Sequence, residues 1–165
     1  MLLFWLPLAA AALHIVEEFF WPGGFTVWYR EYRPEVTKST SKRFLFWINA
    51  ALLFGCASVG IDGPTPYGAA LFLTMTALLF TNAVFHIRAT IRMRRYSPGV
   101  ITGIALYMPL TIIGYAAILR MRLASPGTMI IAAILGGAYP LYSYAIHTRL
   151  SRRGGEQMER DVAHE

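Results

Sequence analysis

Five apolar runs, each roughly 18 to 21 residues long, constrain this chain more than any other feature: 2–20, 44–61, 67–87, 99–119 and 128–147. At about 1.5 Å per residue, each can cross a hydrocarbon core about 30 Å thick as a helix. A backbone in lipid must satisfy its own N–H and C=O groups, which confines such a pattern to helices packed on one another. The expected fold class is therefore all-α, a polytopic membrane helical bundle with five transmembrane helices. The bundle is expected to form a single domain over 1–150, followed by a polar cytoplasmic tail at 151–165. Composition agrees, at 56% hydrophobic and 15% charged residues with a mean hydropathy of +0.46, outside the usual range for a soluble domain.

The breaks carry turn chemistry: "WPGG" with "YREYRPEVTKSTSKR", then "DGPTPYG", "RRYSPG" and "ASPG". The tail "RLSRRGGEQMERDVAHE" is expected to be short, exposed and poorly ordered. The first run has no basic segment before it and reads as a mature helix rather than a cleaved signal. Cys56 is the only cysteine, so no internal disulfide can form.

A net charge of +6 and a pI near 9.8 would suit a nucleic-acid binder, but the cations are placed by topology instead. Five Lys or Arg lie between the first and second runs, four between the third and fourth, and four after the fifth. The loop after the fourth run has only Arg120 and Arg122, and the loop after the second has none. This alternation follows the positive-inside rule, with the N-terminus out and the C-terminus cytoplasmic. No nucleic-acid partner is expected, and membrane lipids are the natural partners of the basic loops.

Against that frame, "LHIVEEFFWPGG" at 13–24 places three ionisable groups inside an apolar run. A charged group at the bilayer centre costs about 2.5 to 3.5 kcal/mol on insertion scales. Of nine acidic residues only Glu17 and Glu18 lie within a run, and three of four histidines do, all at one end of their helices. The topology brings His14, Glu17 and Glu18 to the cytoplasmic end together with Asn82 and His86 of the third run. Tyr96, Ser97 and Thr102 begin the fourth run there, and Tyr144 and His147 end the fifth. Groups converging at one depth can satisfy one another or hold a metal.

His14-x-x-Glu17-Glu18, Asn82-x-x-x-His86 and Tyr96-Ser97-Pro98-Gly99-x-x-Thr102 resemble the three signatures of the bacterial membrane-protein family named after its HxxEE motif. The resemblance covers 13–102 by motif and implies a multi-pass protein of the bacterial cytoplasmic (inner) membrane. It implies a membrane enzyme without an established reaction, with its site at these residues. His147 lies outside the signatures.

On a helix His14 and Glu18 are about 40° apart and His14 and Glu17 about 60°, so all three can face the bundle interior. Imidazole with carboxylate suits Zn, Fe or Mn, with His14, Glu18 and His86 as ligands and His147 as a further candidate. The spacing resembles the inverted zinc motif HxxEH with its last ligand changed to Glu, which makes Glu17 the general base on a metal-bound water. Asn82 is then expected to orient a ligand or hold a developing oxyanion, and Tyr96 or Thr102 to contact substrate. The expected activity is metal-dependent hydrolysis, hydration or oxidation of a lipid-like or amphipathic substrate at the cytoplasmic leaflet.

Other readings stand beside it. The same groups can run metal-independent acid–base isomerisation or cyclisation of a terpenoid or sterol-like substrate. His86 and His147 can hold a haem in an electron carrier. Transport fits less well, because the ionisable groups cluster at one face. A di-iron centre needs more carboxylates than the two available. Structurally, Glu17 and Glu18 can pair with Arg88 or Arg92, and Asn82 can be packing glue. "FFWP" and "FTVWY" read as an interfacial belt. Pro109, Pro140 and Gly136-Gly137 read as kinks or close contacts of the last two spans, and "YSPG" as a turn entering a helix.

Overall fold

The structure, a computed structural model, describes residues 1–36 and 41–163, with side chains given to residue 149. In chain order it has α1 (Leu2–Phe19), α2 (Phe25–Tyr32), a 3-10 turn (Pro34–Val36), α3 (Lys42–Asp62) and α4 (Pro66–Met93). Then come α5 (Val100–Thr102), a π-helical turn (Gly103–Tyr107), α6 (Met108–Met121) and α7 (Pro126–Ala163). No strand occurs among the described residues. Five segments are long and apolar enough to cross a membrane: Leu2–Phe19, Lys42–Asp62, Pro66–Met93, Val100–Met121 and Pro126–Arg149. They match the five apolar runs, so the chain is an all-helical membrane bundle.

The starts of the helices follow from the loop residues. Ser41 Oγ accepts the Phe44 N–H at 3.1 Å, and Thr65 Oγ1 accepts the Gly68 N–H at 2.9 Å. Ser125 Oγ accepts the Thr128 N–H at 3.1 Å. Pro66 and Pro126 follow their caps directly, where a missing N–H costs nothing.

Two segments differ from expectation. The tail expected to be poorly ordered continues α7 without a break through Ala163. No proline stops the helix after Arg149, and helix formers flank the Gly154-Gly155 pair. The stretch after "WPGG", expected as loop, contains α2, whose Phe25 and Trp28 sit one turn apart and are both buried. That pairing overturns the belt reading for those two aromatics, whereas Phe20 and Trp21 are exposed as a belt requires.

Helix α4 is the hub and packs on α1, α3, α6 and α7. The core is built in three groups along it. Phe4, Val59, Phe72, Leu73 and Ile118 fill one end. Ala10, Ala11, Cys56, Leu79, Ala83 and Tyr107 form the middle, and Phe25, Trp28 and Ala89 close the other end. Alanines in the middle group let α1 and α4 approach closely. Gly136, expected to serve a kink or close contact of the last two spans, makes its close contact with the third: a Cβ there would lie 2.1 Å from the Thr74 carbonyl oxygen, so α7 meets α4 backbone to backbone. Outward, α3 and α7 present Phe46, Trp47, Phe54, Ile130, Ile134 and Leu135, apolar groups that only lipid or another apolar surface would cover.

Candidate functional site

Between the middle and end groups of the core, the last turns of α1 turn His14, Glu17 and Glu18 inward, and all three are buried. His86 comes from α4, one helical turn beyond Asn82, and is fully buried. Glu18 Oε1 stands 3.4 Å from His14 Nε2 and 3.2 Å from His86 Nε2. Ligand atoms of His14, Glu18 and His86 all lie within 4.8 Å of one another, the one such group of three or more among the described residues. Asn82 Nδ2 adds a donor 3.2 Å from His14 Nε2.

Hydroxyl groups hold the far sides of both imidazoles. His14 Nδ1 is 2.8 Å from Thr102 Oγ1, and His86 Nδ1 is 2.9 Å from Ser97 Oγ. Thr102 Oγ1 donates its one proton to Glu17 Oε2, so it must accept from His14. The His14 proton therefore sits on Nδ1, and Nε2 presents a lone pair toward Asn82 and Glu18. His86 Nε2 is buried with no hydrogen bond among the described residues and faces the same carboxylate oxygen. Two imidazole nitrogens and a carboxylate oxygen thus face one point, where a proton shared with Glu18 or a metal ion would satisfy them.

Glu17 is placed differently from its expected role. Its Oε1 accepts from Tyr96 Oη at 2.6 Å and the Ile101 N–H at 3.0 Å. Its Oε2 accepts from the Thr102 N–H at 2.7 Å and from the Thr102 hydroxyl. A carboxylate has about four lone-pair positions, and all are taken, so none remains to draw a proton from water. Glu17 caps the start of the fourth span, where free N–H groups favour an anion. The carboxylate expected as a general base is thus bound to Tyr96 and to the start of the fourth span. Tyr96 and Thr102, expected against substrate, are instead its partners. Burial and donation to Glu17 push the Tyr96 phenol well above its ordinary value, which keeps it a donor.

Sequence reasoning treated "YSPG" as a turn, but Gly99 has a specific place in it. Its φ is +100°, and a Cβ there would lie 2.7 Å from His14 Cε1 and 2.9 Å from His86 Cε1. The loop backbone thus lies against both rings, and Ser97 two residues earlier reaches His86. The remaining walls are aromatic. Tyr107, in the π-helical turn, lies 4.5 Å from the His14 ring, and Trp28 stacks on His86 at 6.0 Å. No motif pointed to either, because a buried aromatic in an apolar run resembles ordinary core.

His147 is not brought into the group. Its ring packs edge-on against Phe44 at 4.4 Å, on the wall of a cavity of about 510 Å³. Among the described residues it is not one of the group whose ligand atoms lie within 4.8 Å of one another, His14, Glu18 and His86. The cavity lies between α3, α4 and α7 and touches the site at Glu18 and Asn82.

A family model described as a protein of unknown function with HXXEE motif matches residues 5–114. The match includes His14, Glu18 and His86 with their hydroxyl partners and stops before His147. No curated protein and no solved structure matches the chain.

Proposed function

The chain belongs to the HXXEE-motif family, and we propose that it is a membrane-embedded, metal-dependent enzyme acting on a lipid-like substrate at the cytoplasmic leaflet of a bacterial inner membrane. The reaction class is hydrolysis, hydration or oxidation. One observation carries this reading: two imidazole Nε2 atoms and Glu18 Oε1 converge, while hydroxyls hold both Nδ1 atoms. Ligand atoms about 2.0 to 2.1 Å from a tetrahedral ion stand about 3.3 to 3.4 Å apart. The 3.4 and 3.2 Å separations match those edges. Three protein ligands leave a position open for chemistry, and Zn, Fe or Mn is compatible with the donor set.

A bound ion would supply Lewis acidity toward a substrate oxygen. The protein side is supplied by named groups. Glu17 and Thr102 fix the tautomer of His14, Ser97 orients His86, and Gly99 closes the rings off from the loop side. Asn82 lines the cavity with its amide donor 3.2 Å from His14 Nε2, where it would face a negative charge developing beside the group.

Elemental analysis by mass spectrometry tests this on detergent-purified wild type and on His14→Ala, Glu18→Ala, His86→Ala and His147→Ala, each with a visible spectrum. Near-stoichiometric metal is expected in wild type and His147→Ala, and its loss in the other three once shown to be folded. A metal-free wild type after chelator-free purification refutes the reading. In that case metal-independent acid–base isomerisation stands next, because protons can bridge the same 3.2 and 3.4 Å contacts. A haem is not favoured, since the cavity is lined by His147 but not by His86.

A further inference from the structure

The cavity beside the site has a shape and polarity of its own. Along α4 it runs from Met75 to Arg88, thirteen steps or about 20 Å at 1.5 Å per residue. Its far half, walled by Leu52, Gly55, Met75 and Leu78, is apolar. Glu18 and Asn82 lie along its length, and Arg33 and Arg88 stand at the end carrying the basic loops. Its volume of about 510 Å³ is on the scale of one extended hydrocarbon chain.

The charges at the mouth do not cancel. Among the described residues Glu18 is the one acidic residue on the lining, and it is turned toward the two imidazoles. Arg33 lies 3.4 Å from Glu35 and against the rings of Tyr32 and Tyr144. Arg88 is exposed, and no carboxylate lies within ion-pair distance of it among the described residues. Among the described residues, then, one guanidinium without a carboxylate partner stands at the mouth of an apolar cavity, which matches a singly charged anionic headgroup that it can bind through two parallel N–H···O bonds.

We infer that this cavity binds a single-chain anionic amphiphile, a long-chain carboxylate, with its headgroup on Arg88 and its chain between α3, α4 and α7. The chain then passes Glu18 and Asn82, within reach of the candidate metal group. This names the substrate class of the proposed enzyme and rests on that reading only for the chemistry, not for the binding.

The test uses the full chain in nanodiscs of zwitterionic lipid with tritiated palmitate, with and without chelator treatment. Saturable binding of about one palmitate per chain is expected, displaced by unlabelled palmitate and at least tenfold less well by hexadecanol. Arg88→Gln is expected to weaken binding at least tenfold, Arg88→Lys less than threefold, and Arg92→Gln, on the same helix outside the cavity, less than twofold. Equal displacement by hexadecanol, or an unaffected Arg88→Gln, overturns the inference. Binding that survives the chelator while wild type proves metal-free would sink the metal-dependent enzyme and leave the amphiphile site standing.

Discussion

Thr102→Val removes one oxygen and keeps the outline of the side chain, which isolates the hydroxyl as the variable. Two contacts go with it: the proton donated to Glu17 and the acceptor 2.8 Å from His14 Nδ1. Both partners are buried, so water cannot replace the oxygen. An unsatisfied buried group costs about 1 to 3 kcal/mol. Glu17 keeps three of its four donors, so its share falls at the low end, and the combined loss is about 2 to 4 kcal/mol. For a chain of this size that lowers the melting temperature by roughly 4 to 16 °C. His14 also loses what holds its proton on Nδ1, and loss of such a support costs about 10- to 100-fold in metal affinity. Thermal unfolding followed by tryptophan fluorescence and chelator competition on detergent-purified protein measure the two effects. Thr102→Ser, which restores the oxygen, should recover both. If Thr102→Val melts like wild type and holds metal as tightly, the hydroxyl does not set the tautomer of His14 and the argument for converging lone pairs fails.

Gly99→Ala forces a methyl group to within 2.9 Å of both imidazoles at a φ of +100°, and should lower stability by about 2 to 5 kcal/mol and deplete metal; an unchanged melting curve would contradict the close approach. Glu17→Gln sets an amide N–H against donors it cannot accept from, so it should lower the melting temperature even without substrate. A general base would instead give a variant of normal stability that fails only in catalysis, which the same melt distinguishes. Tyr107→Phe removes a buried hydroxyl that has no hydrogen-bond partner among the described residues, and should leave the melting temperature unchanged or raise it slightly; a loss above about 1 kcal/mol would mean the hydroxyl is bonded.

The gathering of His14, Glu18, Asn82 and His86 at one level was readable because helical rise converts residue number into depth, and alternating basic loops show which helix ends are neighbours. The roles within that level were not readable. Glu17 and Glu18 are adjacent in sequence and chemically identical, yet one caps the fourth span through four hydrogen bonds and the other faces two imidazoles. His147 shared the depth criterion and still falls on the cavity wall, because depth along a helix carries no information about which way a side chain turns. The places of Trp28 and Gly99 were not readable for related reasons: one sits in an aromatic cluster that reads as interface, the other in a signature turn whose crowding depends on rings far away in sequence.

The sequence by itself therefore determined the five spans and the motif residues that share one end, since the cost of leaving backbone and charge in lipid acts on each segment separately. Tertiary structure alone decided which carboxylate meets the histidines, which nitrogen of His14 carries its proton, and where a cavity opens beside them. Those properties depend on distances between α1, α4 and the start of the fourth span, and contact and hydrogen-bond energies vary over fractions of an ångström that no spacing along a single chain can encode.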